Sequence, residues 1–271
     1  MDTINNYAAA IAKDFKVAGI LNVQFAICDD KVYIIEANPR ASRTVPLVAK
    51  VTGVPLARIA TGLTLGHKLR EYTDQLDVKC HGYYGVKEAV FPFNMFPEVD
   101  PLLGPEMRST GEVLGLADNF PLAYYKAQQA ADAKLPLSGT ALVSISKRER
   151  EEFLPIVQAL RDLKFSIIAT EGTAEFLAEH DVPCTVVYKI GEGRPDVSDL
   201  VKNNSLELIF NTPNSSIAHM HNGSIRKLAI QHKIPYMTTA AAAKATVAGI
   251  KAAIECEIPV NSLQEYQSGN R

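Results

Sequence analysis

The stretch Phe165-Ser-Ile-Ile-Ala-Thr-Glu-Gly-Thr173 decides the fold of the second half of the chain. Its apolar residues form a short strand, and the segment Thr170 to Thr173 then turns directly into an amphipathic helix. A strand that ends in a Gly-containing turn at a helix start is typical of α/β proteins with a parallel sheet. Backbone N–H groups at such a helix start favour anions. The stretch therefore predicts both a fold class and a ligand position.

Four more apolar strands accompany this one, with amphipathic helices between them. The predicted strands cover residues 141–146, 165–169, 185–188, 206–211 and 236–238, and the predicted helices cover residues 150–163, 173–180, 197–203, 224–233 and 240–254. Successive right-handed crossovers make this a parallel-sheet, three-layer α/β domain. We assign it residues 138–271, after a linker at Lys134 to Gly139, and assign residues 1–137 to a separate α+β region.

Polar and charged residues follow the ends of several predicted strands. Arg150 comes after the first strand, Lys189 after the third, and Asn211-Thr-Pro-Asn214 after the fourth. Because ligands of such sheets bind beyond the carboxyl ends of the strands, we expect these residues to converge with Thr170 and Thr173 on one edge. Two cations and a helix start predict an anion site there. The alternative is a Gly-containing loop with capping threonines.

The first half of the chain contains a predicted β-hairpin. Residues 21–28 and 32–38 alternate in polarity around a three-residue loop, Asp29 to Lys31. This pairing sets Gln24 opposite Glu36. One face then carries four polar side chains, and the other face is expected against a core: the polar set is Asn22, Gln24, Glu36 and Asn38, and the apolar set is Val23, Phe25, Ile27 and Ile35.

The polar face of the hairpin suits a metal that accompanies a nucleotide. Magnesium takes oxygen ligands and often works in pairs bridged by a carboxylate, which is the role that Glu36 could fill beside Gln24 and Asn38. The alternative is an ordinary half-solvated hairpin. Spacing alone does not decide between them.

Composition limits the classes of function. The chain has 271 residues, 47% of them hydrophobic, and a formal net charge of −2 with dispersed Lys and Arg, so nothing indicates nucleic-acid binding. No apolar stretch reaches the ~20 residues of a membrane helix, and the first residues do not resemble a signal peptide. We expect a cytoplasmic protein. Its four cysteines show no CxxC pair, which is typical of reduced thiols.

Several motifs together resemble the carboxy-terminal part of the large subunit of carbamoyl phosphate synthetase. They are Asn22-Val-Gln-Phe-Ala26, Ile35-Glu-Ala-Asn-Pro-Arg-Ala-Ser-Arg-Thr-Val-Pro46, Gly82-Tyr-Tyr-Gly-Val-Lys-Glu88, Phe91-Pro-Phe-Asn94 and Asp100-Pro-Leu-Leu-Gly-Pro-Glu-Met-Arg-Ser-Thr-Gly-Glu112. The resemblance covers essentially the whole chain. It implies the end of the second ATP-grasp module followed by a methylglyoxal-synthase-like allosteric domain.

The resemblance also implies an activity. The family is an ATP-dependent ligase that makes carbamoyl phosphate from bicarbonate, glutamine-derived ammonia and two ATP, for arginine and pyrimidine biosynthesis. The implied partners are the rest of the large subunit and a glutaminase small subunit. The family's adenine-binding and lid segments lie before the point where this chain starts. We therefore expect one wall of an ATP site here, inactive by itself.

The resemblance assigns roles to the hairpin and to the turn after it. Gln24, Glu36 and Asn38 fall on the family's ligands for ATP and for Mg²⁺ or Mn²⁺ in the carbamate-phosphorylating half. Arg40 and Arg43 follow, and their guanidinium groups would neutralise charge on carbamate or on the transferring phosphoryl group. A surface salt bridge is the alternative for these two arginines.

In the second half, the resemblance implies two effector sites. The nucleotide site takes uridine or inosine monophosphate first and N-acetylglutamate as the alternative; its residues are Arg150, Thr170, Thr173, Lys189, Asn211 and Thr212. Arg150 stands where the bacterial pattern more usually has Lys. An ornithine site is implied in part, by Glu88, Tyr236 and Thr238.

Two other functions compete with the ligase. A free-standing methylglyoxal synthase needs a carboxylate where the fourth strand ends, and the stretch Phe210-Asn-Thr-Pro-Asn214 has no acid. An isolated ligand-binding and docking module without catalysis is the remaining alternative. His219 and His221 have no carboxylate at metal-binding spacing, and we expect them on the surface or at a helix entry.

Overall fold

The computed structural model describes residues 1–76, 78, 82–95, 106–212 and 219–268. The chain divides into two compact units: unit 1 comprises Met1–Tyr83 and Val260–Arg271, and unit 2 comprises Tyr84–Pro259. Among the helices in the described ranges, none combines the length and the apolar character that crossing a bilayer requires.

Unit 1 contains five α-helices and one hairpin among its described residues. In chain order they are α1 (Asp2–Asp14), β1 (Asn22–Cys28), β2 (Lys31–Asn38), α2 (Thr44–Thr52), α3 (Leu56–Thr64), α4 (Thr73–Leu76) and, after unit 2, α11 (Leu263–Ser268). A 3₁₀ turn, Leu69–Tyr72, precedes α4. The buried side chains of this unit are few, and they include Val45, Val54, Ile59 and Tyr266.

The hairpin confirms the predicted polar pairs but not the predicted loop. Asn22 pairs with Asn38 and Gln24 with Glu36, whereas Cys28 pairs with Lys31 across a two-residue turn. Both turn residues, Asp29 and Asp30, have positive φ, as a type I′ turn requires. A β-bulge after Gln24 absorbs one residue of β2 and restores the expected register.

The predicted apolar face of the hairpin is wrong in part. The side chains of Ile27 and Ile35 are 66% and 64% exposed, and Tyr33 and Ile34 are exposed as well. Only Val23 and Phe25 of the predicted set are half-buried. The bulge explains part of this difference, because it makes the two faces of β2 change places after Ile35.

Unit 2 begins with an antiparallel strand pair covered by one helix. The elements are β3 (Tyr84–Val90), β4 (Gly111–Ala117) and α5 (Phe120–Ala130), with a 3₁₀ turn at Phe93–Met95. The sequence pattern predicts a strand at residues 86–91 and a helix at about residues 119–133, which correspond to β3 and α5, but it predicts no strand at β4. Gly115 is required there, since a Cβ atom on it would stand 2.1 Å from the backbone oxygen of Ala123. Part of the Asp100–Glu112 motif, residues 100–105, lies outside the described residues.

The rest of unit 2 is a five-stranded parallel sheet with helices on both faces, as predicted. Its order is β7-β6-β5-β8-β9. The elements are β5 (Thr140–Ser144), α6 (Arg150–Asp162), β6 (Ser166–Thr170), α7 (Glu171–Glu179), β7 (Thr185–Val187), α8 (Val197–Lys202), β8 (Leu208–Asn211), α9 (His219–Gln231), β9 (Tyr236–Met237) and α10 (Ala240–Glu255).

Apolar cores lie on the two faces of this sheet. One core gathers side chains of α6, α7 and α10, with Phe153, Leu160 and Phe210 fully buried. The other gathers α8 and α9 around Leu142 and Ile209. Helix α5 packs against both β4 and α10. The predicted domain boundary between residues 137 and 138 therefore lies inside unit 2 and differs from the boundaries of the two compact units. The assignment of residues 1–137 and 138–271 to separate domains stays a prediction.

Candidate functional site

The polar face of the hairpin places three of the predicted ligands together. Gln24 and Glu36 are cross-strand partners, and Asn38 lies two residues beyond Glu36 on the same face. The Nδ2 atom of Asn38 donates a hydrogen bond to Oε1 of Glu36 at 2.9 Å. Gln24 and Glu36 are exposed. The hairpin therefore presents one carboxylate and two amides to whatever faces it.

This donor set fits a metal that comes with a nucleotide rather than a resident one. All three side chains offer hard oxygen ligands, which Mg²⁺ and Mn²⁺ prefer. Only Glu36 is charged, so phosphate oxygens would have to supply most of the negative charge. Within the described residues, no three or more His, Cys, Asp and Glu side chains are grouped so that they could hold a metal ion.

Arg40 and Arg43 both follow the hairpin, and both are exposed. The Nη1 atom of Arg40 donates to the carbonyl of Ala41 at 3.1 Å, and Arg43 is the residue that precedes α2. Arg40 also borders a cavity of about 410 Å³ between the loop at Ala18–Ile20 and helix α3. Arg43 thus stands at a helix start, and Arg40 stands beside a cleft.

A second site lies at the carboxyl ends of the parallel strands. Helix α7 begins directly after β6, and its N-cap residue, Thr170, makes no side-chain cap. The Nη2 atom of Arg150 lies over this helix start, 2.9 Å from where a Cβ atom on Gly172 would stand. The Nε atom of Arg150 is buried and has no hydrogen-bond partner among the described residues. A guanidinium and an uncapped helix start thus meet at one point.

The hydroxyl groups predicted in this site connect strand ends to each other. Thr173 Oγ1 accepts from the backbone N–H of Ile145 at 3.1 Å, and Thr212 Oγ1 accepts from that of Ser146 at 2.8 Å. Thr170 Oγ1 donates to Ser144 Oγ at 3.1 Å. All three threonines are buried, as is Asn211. These hydroxyls are thus already hydrogen-bonded within the protein, whereas the first backbone N–H groups of a helix such as α7 have no partner inside the helix.

Lys189 stands on the neighbouring strand end and is the exposed cation of the site. Its side chain is 56% exposed, and its Nζ atom pairs with Glu192 at 3.5 Å. Because β7 adjoins β6 in the sheet, Lys189 follows the strand next to Thr170. Pro213 and Asn214, which the sequence added to this site, lie outside the described residues; the side chains of His219 and His221 do too.

The sequence reasoning missed Asp196, which holds the loop that carries Lys189. Its carboxylate accepts from Gly191 N, Ser198 N, Ser198 Oγ and Asp199 N at 2.6–3.2 Å. Burial would raise the pKa of Asp196, but these hydrogen bonds lower its pKa below the ordinary value. The Asp-x-x-Asp spacing, a variant of the capping box, was the available signal.

A third site is a cavity of about 430 Å³ in unit 2. Glu88 on β3 and Tyr236 on β9 both line it, while Thr238 is absent from its described lining. Gln128 of α5 donates from Nε2 to Oε2 of Glu88 at 2.6 Å. Burial raises the pKa of Glu88. The described lining also includes Asp132 and Lys233, and the remaining residues are mostly apolar or aromatic. The half-buried carboxylate of Glu88 is the group in this cavity that is suited to a cationic ligand. No sequence signal indicated Gln128.

Two family models match separate parts of the chain. The family described as "Carbamoyl-phosphate synthase L chain, ATP binding domain" matches residues 1–72, and "MGS-like domain" matches residues 152–238. The chain is 46% identical over 275 residues to the carbamoyl phosphate synthase large chain of Acidobacterium capsulatum. It is similar to carbamoyl phosphate synthase large chains.

Relatives that are named as the carboxy-terminal section of that large chain match as well. Those of Methanopyrus kandleri and Methanocaldococcus jannaschii are 44% and 43% identical, and each match covers 99% of this chain. The chain spans 51% and 45% of their lengths and 25% of the Acidobacterium protein. The resemblance from the motifs is thereby confirmed: an ATP-binding fragment is followed by an MGS-like domain, and the alternative of an isolated module is not favoured.

Proposed function

We propose that this chain works within a carbamoyl phosphate synthase, where unit 1 forms one wall of the ATP site that phosphorylates carbamate. The observation that carries this proposal is the shared face of Gln24, Glu36 and Asn38, on a segment that matches the family's ATP-binding domain. In this reaction a carbamate oxygen bonds to the γ-phosphorus of ATP, and the bond to the bridging oxygen breaks as ADP leaves.

The residues of this chain would act by holding charge in place. Catalysis of phosphoryl transfer is largely positioning and electrostatic stabilisation. Magnesium or manganese bound with ATP would neutralise phosphate charge, and Glu36, Gln24 and Asn38 would hold that metal. Arg40 and Arg43 would stabilise the oxygens of carbamate or of the transferring phosphoryl group, because a guanidinium binds such oxyanions bidentately.

The exposed apolar residues of the hairpin support a larger ATP-binding domain. Ile27, Tyr33, Ile34 and Ile35 would each bury apolar surface if the rest of that domain covered them. The chain spans only part of its relatives, so this cover and the glutaminase partner are proposals that follow from the family.

The test of this function is the synthesis of ATP from carbamoyl phosphate and ADP by the ligase that contains this chain. We expect Glu36→Gln to reduce the rate by at least about a hundredfold, because it removes the charged metal ligand while keeping the shape. Gln24→Ala should reduce it less. Glu71→Gln, on an exposed side chain in the same unit, is the control. A near-normal rate in the Glu36 variant would show that the hairpin is only scaffold.

We also propose that unit 2 binds a regulatory mononucleotide, uridine or inosine monophosphate, at the strand ends. The uncapped start of α7 and the guanidinium of Arg150 would hold the phosphate, with Lys189 at its outer side. Asn211 and Thr212 would face the sugar or base. Calorimetry with uridine monophosphate, inosine monophosphate and N-acetylglutamate decides the ligand: saturable binding of acetylglutamate alone would overturn the nucleotide.

The cavity at Glu88 and Tyr236 supports a cationic amino acid such as ornithine as a second effector. Burial raises the pKa of Glu88, and the positive charge of a bound ammonium group would favour the ionised carboxylate and offset the cost of its desolvation. Ornithine titrated into the chain should therefore bind more tightly as the pH rises through the pKa of Glu88. Equal affinity in Glu88→Gln would exclude this site.

A further inference from the structure

Helix α2 links the proposed catalytic turn to the segments that contain Tyr83 and Gln267. Its first residue, Thr44, directly follows Arg43, and the strand with Glu36 and Asn38 ends only a few residues earlier. An α-helix of nine residues is a short, stiff rod of about 13 Å. Whatever holds the far end of α2 therefore also fixes where Arg43 stands.

Two side chains from distant parts of the sequence hold that far end. The hydroxyl of Tyr83 donates to the carbonyl of Val51 at 2.5 Å, and Nε2 of Gln267 donates to the carbonyl of Lys50 at 2.9 Å. Both carbonyls belong to the last turn of α2, where the helix itself supplies no partner. The helix then ends at Gly53 in the left-handed conformation.

These two side chains also belong to one packed group. The ring of Tyr83 meets that of Tyr266 edge to face, with centroids 5.3 Å apart. Tyr266 is 3% exposed, and helix α11 that carries it packs against α2. We call Tyr83, Tyr266 and Gln267 the α2 clamp.

The α2 clamp coincides with the two places where the chain passes between the units. Tyr83 is the last residue of unit 1 before the chain enters unit 2, and the segment with Tyr266 and Gln267 begins at Val260, where the chain returns. Both covalent connections of unit 2 are therefore fastened to the same end of the same helix.

We propose that the α2 clamp is a set of positioning residues for Arg43, through which ligand binding in unit 2 changes the ATP wall of unit 1. This inference rests on the proposed nucleotide effector. In this proposal, Tyr83, Tyr266 and Gln267 make no contact with a substrate. They act through α2, whose first turn adjoins the catalytic arginine.

Hydrogen exchange on the full chain tests the α2 clamp. The variant is Tyr83→Phe with Gln267→Ala, which removes both hydrogen bonds and keeps the ring that packs on Tyr266. We expect the amides of residues 44–52 to exchange roughly tenfold faster, since two helix-end hydrogen bonds are lost. Tyr84→Phe with Gln264→Ala, at exposed neighbouring positions, is the matched control and should leave the exchange unchanged.

The change in hydrogen exchange of α2 when uridine monophosphate binds separates a coupling role of the α2 clamp from a merely structural one. In the parent chain its binding should change the exchange of α2 several-fold; in the double variant that change should vanish, while the Kd from calorimetry stays within about twofold. A nucleotide effect on α2 that survives in the variant would overturn the proposal. So would unchanged exchange of α2 without nucleotide. Failure of the parent to bind the nucleotide would instead overturn the effector function.

Discussion

Arg150→Met separates a role in ligand binding from a role in folding, because the two predict opposite changes in stability. The guanidinium lies over the start of α7, and its buried Nε has no partner in the described residues. An unsatisfied buried donor costs about 1–3 kcal/mol, and methionine keeps the apolar stem without the donor. We therefore expect the ligand-free variant to be about 1 kcal/mol more stable, with a Tm roughly 2–4 °C higher.

The affinity of Arg150→Met for the nucleotide should decrease, although its stability without ligand increases. Removing a charge-assisted contact to phosphate costs roughly 2 kcal/mol, or about thirtyfold in Kd. At uridine monophosphate equal to 100 times the parent's Kd, the parent gains about 2.7 kcal/mol of stability. The variant at the same concentration should gain only about 0.9 kcal/mol. Lys189, which is largely exposed and paired with Glu192, should contribute less, about three- to tenfold.

Thermal unfolding with and without nucleotide measures both quantities on one sample. Arg148→Met, an exposed arginine two residues earlier, is the matched control and should change neither. A lower Tm of ligand-free Arg150→Met, together with an unchanged shift by nucleotide, would refute the reasoning. It would show that this guanidinium has a structural task and no ligand.

Three other outcomes follow from the same contacts. Asp196→Ala should destabilise unit 2 by about 2 kcal/mol near neutral pH, since it removes a helix cap and charged hydrogen bonds. The pKa of Asp196 is lowered in the folded chain, so the difference in stability between parent and variant, measured by circular dichroism, should disappear as the pH falls below that pKa. Glu88→Gln should have the opposite pH dependence when no ligand is bound. Burial raises the pKa of Glu88, so the parent should lose stability as the pH rises from about 4.5 towards that pKa, whereas the variant should not. Equal pH profiles of Tm for parent and variant would contradict this expectation. Gly115→Ala should destabilise the chain by about 3 kcal/mol or more, because the new Cβ atom would overlap the backbone of α5. Gly66 has open space around it, so Gly66→Ala should cost only the smaller amount that its positive φ requires. Comparable losses of Tm in the two variants would argue against tight packing at β4.

Local pattern was sufficient for most of the parallel sheet and for the polar face of the hairpin. The strands of residues 140–238 are short apolar runs between clear helices, and each was found within a few residues of its bounds. The hairpin was harder. Its loop was predicted one residue too long, and the polar pairs still came out right because a bulge near Ile35 compensates. Turn type and bulge depend on backbone energetics that alternation does not encode.

Strand β4 shows what local pattern lacks. The segment Gly111–Ala117 contains two glycines, which weaken a strand in isolation. Gly115 stands there because α5 approaches closely, and that approach is a long-range contact. Asp196 and Gln128 were missed for a related reason. A capping carboxylate or a helical glutamine acquires its role only from the loop or the carboxylate that folding brings beside it.

The sequence by itself determined which chemistry lies at the sheet's carboxyl edge, because Arg150, Thr170, Lys189 and Asn211 each stand at or just after the end of a predicted strand. Tertiary structure decided how each is used. It buries the threonine hydroxyls against backbone N–H groups, sets the guanidinium over Gly172, and fastens the returning tail to α2. The physical reason is range: periodicity reports neighbours within a few residues, whereas burial and hydrogen-bond partners depend on contacts between segments far apart in the chain.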